Sequence, residues 1–75
     1  MADLLDRITS DAEICGGRPT IRGLRIRVTD ILAMLAAGAT RSDILRDYPY
    51  LEDQDISAAL EYASRNSDHP LIRVG

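Results

Sequence analysis

Val28-Thr29-Asp30-Ile31-Leu32-Ala33-Met34-Leu35-Ala36-Ala37-Gly38-Ala39-Thr40-Arg41-Ser42-Asp43-Ile44-Leu45 is the stretch that decides the fold. Val28, Ile31, Leu32 and Leu35 fall at i, i+3, i+4 and i+7, which lays one apolar stripe along a helix. Thr29 is placed to cap its start, and Gly38 stands just past its end, where helices commonly finish on a residue with positive φ. Thr40 followed by Asp43 then reads as a capping box with Asp in place of the usual Glu. The second helix that begins there is short. Ile44, Leu45 and Tyr48 give it one apolar face, and Pro49 stops it.

Working outward towards the C-terminus, a third helix follows Leu51. Ile56, Ala59, Leu60 and Ala63 repeat the helical spacing, and Asp53 and Asp55 lie in the first turn, where the helix dipole favours negative charge. The pattern frays near Arg65-Asn66-Ser67. Beyond it, residues 67–75 carry no helical period but end in the apolar, β-prone run Leu71-Ile72-Arg73-Val74. Left uncovered, such a run is a sticky edge. It therefore has three readings: it packs back on the helices, it pairs in a dimer, or it adds to the surface of a partner.

Working outward towards the N-terminus, Arg7-Ile8-Thr9 and Arg25-Ile26-Arg27-Val28 alternate polar and apolar residues as half-buried strands do. Gly16-Gly17 and Arg22-Gly23 between them are turn signals. The expected architecture is mainly α: a short N-terminal β-arm or hairpin over residues 1–28, three helices over residues 29–66 and a tail over 67–75, all in one domain. The second and third helices would form a helix–turn–helix.

A chain of 75 residues hides only about 60% of its unfolded surface, so its core is small. With no Trp and no Phe, that core must be aliphatic. Small domains of this kind gain stability by self-association or by binding a partner, and a homodimer is expected. No apolar run approaches the roughly 20 residues of a membrane span. The early acids at Asp3 and Asp6 do not suit a signal peptide, so the chain reads as cytoplasmic. A single cysteine excludes an internal disulfide framework and a Cys-rich metal site.

The formal net charge of -3 is unevenly spread. Residues 1–14 carry Arg7 against Asp3, Asp6, Asp11 and Glu13, whereas residues 15–28 carry Arg18, Arg22, Arg25 and Arg27 and no acid. Those four arginines are the candidate DNA-binding or dimer-contact residues. The alternative is that they pair with the chain's own acidic helices. The third helix itself is a poor reader of DNA: a helix–turn–helix presents the start of its second helix to the bases. Here that start is Glu52-Asp53-Gln54-Asp55, three carboxylates that phosphate would repel.

No catalytic constellation is visible. Cys15 and His69 have no third residue to orient them, a sole His without cysteine partners is no metal site, and Glu52, Asp53 and Asp55 do not converge on a cation. The glycines are not followed by the Lys-Ser/Thr of a phosphate loop. The expectation is a protein that is not an enzyme, with no cofactor and no metal. Tyr48, Tyr50 and Tyr62 read as packing residues, with Tyr50 a candidate for a partner interface.

Several of these residues form a pattern. Arg7-Ile8, then Glu13-Ile14-Cys15-Gly16-Gly17-Arg18-Pro19-Thr20-Ile21-Arg22-Gly23, then Arg25-Ile26 strongly resembles the bacterial family called domain of unknown function 433. The likeness runs on through Leu35-Ala36-Ala37-Gly38, Asp47-Tyr48-Pro49, Asp55-Ile56 and Ala58-Ala59-Leu60, covering residues 7–63. The resemblance implies a homeodomain-like helix–turn–helix fold. It also implies a VapB-like antitoxin encoded beside a PIN-like ribonuclease toxin. Glu52 departs from the pattern, where the family usually places a Thr cap.

On that resemblance the expected function is the antitoxin of a type II toxin–antitoxin pair, neutralising a PIN-like ribonuclease, with promoter DNA as a second partner for autoregulation. Leu71, Ile72, Arg73 and Val74 would bind the toxin, Arg73 entering its acidic site. The alternative functions are a stand-alone DNA-binding transcriptional regulator, and a dimeric scaffold whose acidic helices hold a basic partner.

Overall fold

A computed structural model describes residues 3–66. A 3-10 turn, Leu4–Arg7, leads into β1 (Ile8–Thr9), and β2 (Thr20–Ile21) pairs with it antiparallel, Ile8 opposite Ile21 and Thr9 opposite Thr20. Three helices follow: α1 (Val28–Ala36), α2 (Arg41–Asp47) and α3 (Asp53–Asn66). The mainly helical architecture with a short N-terminal hairpin is as the sequence predicts.

Two local expectations are corrected. The second half of the hairpin is not the run Arg25 to Val28 but Thr20-Ile21, and the later run contributes a single bridge, Thr20 opposite Arg27. Ile21 to Leu24 closes a tight turn, the Leu24 N–H donating to the Ile21 carbonyl at 2.7 Å. Its central residues, Arg22 (φ 46°) and Gly23 (φ 72°), both have positive φ, the pattern of a type I′ turn. This turn folds the sequence back early, so Ile26 and Arg27 reach the far side of β2, where the Ile21 N–H donates to the Ile26 carbonyl.

The second correction is the start of α1. It begins at Val28, so Thr29 lies inside the helix rather than capping it. Asp30 supplies the start instead, its carboxylate accepting from the Arg27 N–H at 3.0 Å and from the Arg27 guanidinium at 3.0 and 3.2 Å. The remaining punctuation holds. Gly38 has φ 100° beyond α1, and Thr40 and Asp43 exchange both capping-box hydrogen bonds at the start of α2.

The core is aliphatic. Ile21 and Ile26 from the arm pack with Val28 and Ile31 of α1, Ile44 of α2, Leu51 and then Ile56 and Ala59 of α3. The face predicted for α1 from its periodicity is therefore the buried one, although Leu32 and Leu35 lie at its margin. α3 packs against α1, α2, the 3-10 turn and β1. That placement brings the arm onto the acidic start of α3.

Candidate functional site

Asp55, third residue of α3, is fully buried. Its Oδ1 accepts from an Arg7 guanidinium N–H at 2.9 Å and from Arg22 Nε at 3.1 Å. Its Oδ2 accepts from Arg22 Nη2 at 2.8 Å and from the Glu52 backbone N–H, also at 2.8 Å. The last bond is the returning half of a capping box, which the helix needs because its first N–H groups lack internal partners. Burial alone pushes the Asp55 carboxyl up. Donation from Arg22, the Glu52 amide and Arg7 outweighs that and holds it below the ordinary carboxylate range. The cations stay at the surface: the carboxylate is 0% exposed, against 25% for Arg7 and 36% for Arg22. The charge that is costly to bury is thus sealed under two arginines that keep part of their water.

The clasp extends to every leading residue of α3. Arg7 also donates to Glu52 Oε1 at 2.7 Å and to Gln54 Oε1 at 2.9 Å. Arg22 donates to the Tyr50 carbonyl at 3.0 Å. Arg41, from the start of α2, pairs with Asp53 at 2.9 Å and donates to Ser57 Oγ at 2.8 Å. Residues 52–55, which a helix–turn–helix would offer to DNA, are each engaged by an arginine of the same chain. Among the described residues no buried side-chain polar atom is left without a partner.

The four arginines singled out in the sequence therefore divide. Arg22 sits in the clasp, and Arg27 is bound to Asp30, whose carboxyl its guanidinium holds below the usual range. Arg18 and Arg25 are exposed, with no carboxylate partner among the described residues. The sequence reading missed Arg7, Arg41 and the buried role of Asp55. The signal was present in the third position of α3, where an acid returns to cap the helix.

Arg18 and Arg25 stand at two concavities on opposite flanks of α1. One, of about 190 Å³, is apolar and lined by Arg18, Pro19, Val28, Leu32, Tyr62 and Ala63. The other, of about 330 Å³, is lined by Arg25, Ile26, Asp30, Met34, Tyr48 and Tyr50. At 3.6 residues per turn, Asp30 and Met34 lie about 200–240° around the helix from Val28. Tyr48 and Tyr50 meet edge to face with ring centres 6.1 Å apart, and Tyr50 is half exposed. Cys15 is half-buried in a turn beside the Arg25 carbonyl. Among the described residues no group of three or more His, Cys, Asp or Glu side chains forms a metal cradle, and no helix is long and apolar enough to cross a membrane. The expected partner-binding residues Leu71, Ile72, Arg73 and Val74, and His69, lie outside the described residues.

A short antiparallel hairpin clasped by two arginines to the start of the third helix defines a small, mainly helical domain. Residues 8–63 match the model of the family described as "Protein of unknown function (DUF433)", and the chain belongs to that family. It is 39% identical over 59 residues to "Uncharacterized protein y4eO" of Sinorhizobium fredii (strain NBRC 101917 / NGR234), covering 79% of this chain and 27% of that protein. The crystal structure of a DUF433 member from Anabaena variabilis ATCC 29413, at 2.00 Å resolution, is similar in fold, with a TM-score of 0.76 and 37% identity. That match covers 80% of this chain and 59% of the crystallised one. The chain thus spans about a quarter of the curated relative and under two thirds of the solved one.

Proposed function

We propose that this chain is an interaction protein, the antitoxin of a type II toxin–antitoxin pair that binds and silences a PIN-like ribonuclease. The observation that supports it best is the internal neutralisation of residues 52–55, described above. With those residues tied to Arg7, Arg22 and Arg41, the cations beside the start of α3 are spent on the chain's own carboxylates rather than held for phosphate. The arginines left over stand beside concavities rich in aliphatic side chains, Met and Tyr, a composition suited to a protein partner. In this reading Leu71 to Val74 engage the nuclease and Arg73 meets the acids that hold its metal. The protein acts in the cytoplasm, as a homodimer.

Deleting residues 67–75 tests it: the truncated chain should stay folded, since the core lies within residues 21–59, yet lose the nuclease in co-purification. Retention of the nuclease by the truncated chain would sink the assignment.

The stand-alone DNA-binding regulator, with promoter DNA as the partner, is the second reading, and the exposure of Arg18 and Arg25 favours it. A dimer using those two per chain neutralises four phosphates, giving a log–log salt slope of about -3.6. Replacing both by Ala should flatten it, and replacing Arg27 should not. Absence of any shift on its promoter at moderate salt counts against this reading.

A further inference from the structure

We propose that the apolar groove between α1 and α3 is the docking place of the chain's own segment Leu71-Ile72, so that the domain carries a ligand for its own groove. The groove is lined by Val28 and Leu32 of α1 and by Tyr62 and Ala63, which lie within the last two turns of α3. Its volume of about 190 Å³ is of the order of the ~150 Å³ apolar cavities that hold a small hydrocarbon ring. Two branched aliphatic side chains are an occupant of the right chemistry.

Reach and charge both select this segment. The chain leaves α3 at Asn66, and Ala63 and Tyr62 lie only about 4.5–6 Å back along the helix axis. Four residues separate Asn66 from Leu71, and over the five steps between them an extended chain covers roughly 17 Å. The segment is therefore long enough to return to the groove. Arg18, at the groove's rim, has no carboxylate partner among the described residues, and Asp68 of the same segment carries the complementary charge.

Docking places the segment in competition. A partner that needs Leu71 to Val74 must draw them out of the groove, and its apparent affinity is the intrinsic one multiplied by the fraction of chains in which the segment is free. That competition rests on the nuclease-binding reading; the docking itself does not.

The experiment is methyl NMR on the full chain, with no partner present. The expected result is nuclear Overhauser effects from the Leu71 or Ile72 methyls to those of Val28, Leu32 or Ala63 within one chain. In the double variant L71D/I72D, shift changes should be confined to the groove methyls and leave Ile31 and Ile44 unmoved. Absence of those effects in a folded spectrum overturns the proposal. Effects seen only between chains in a mixed-label sample also overturn it, and assign the groove to a second copy. Either failure leaves the nuclease reading standing, because no nuclease is used.

Discussion

The start of α3 and the two flanks of α1 carry the same kind of side chain to opposite ends. At the start of α3, Arg7, Arg22 and Arg41 are turned inward onto Glu52, Asp53, Gln54 and Asp55. On the flanks of α1, Arg18 and Arg25 face outward over concavities. What separates the two groups is the carboxylate each can reach. Asp55 is fixed at the third position of a helix, where capping already aims it at the backbone, and the arm delivers two guanidiniums to its remaining lone pairs. Where an arginine ends up is therefore decided by the carboxylates that the finished fold brings within its reach.

The largest expected effect tests the closed side. Asp55→Ala removes the acceptor of four hydrogen bonds and the anchor of the arm. Breaking a buried pair in this way costs about 3–5 kcal/mol, against a total of roughly 4–11 kcal/mol for a chain of this size. Urea titration followed by helical circular dichroism should show the unfolding midpoint clearly lowered, by more than in any of the variants below. A midpoint near that of the parent would mean that the clasp is ornamental and the comparison empty.

Acid should loosen the same side. The folded Asp55 carboxyl lies below its unfolded value of about 3.9, so its contribution is fully present above that pH and is lost as pH falls through the folded value. Asp30 and Asp43 shift in the same direction. Urea midpoints measured from pH 6 down to pH 2 should hold steady at first and then drop below about pH 4. A drop that begins well above pH 5 would point to groups other than these carboxylates.

A smaller effect separates capping from clasping. Thr40→Ala deletes one half of the α2 capping box and should cost about 1 kcal/mol, with the denaturant slope unchanged. Smallest of all, Arg25→Ala should leave the urea midpoint where it is, whereas Arg22→Ala should lower it clearly. Equal losses from Arg22→Ala and Arg25→Ala would erase the distinction between inward and outward arginines.

Much of the fold is written locally and was legible for that reason. The stripe from Val28 to Leu35, the stop at Gly38, the Thr40–Asp43 box and the break at Pro49 each depend on residues within four positions of one another. The arm is less legible, because a turn that places the non-glycine Arg22 at positive φ sends Ile26 and Arg27 to the far edge of β2 and leaves Thr20-Ile21 as the partner of β1. β-Favouring side chains at Ile26 and Val28 looked equally suited to the strand. The site was least legible. Nothing in the spacing of Arg7, Arg22 and Asp55 announces that they meet, since the bonds span 48 and 33 positions and require the finished core to bring them together. The possibility of internal pairing was open in the charge distribution, and only the geometry decides which arginines take it.

That span fixes an order of events during synthesis. Arg7 is polymerised 48 residues before its carboxylate partner, and Arg22 33 residues before it. Until Asp55 emerges and α3 winds, the hairpin has no floor to stand on and its two guanidiniums remain in water. The arm is thus made before α3 yet secured only after it, and a nascent chain halted before residue 55 carries an arm with nothing to close upon.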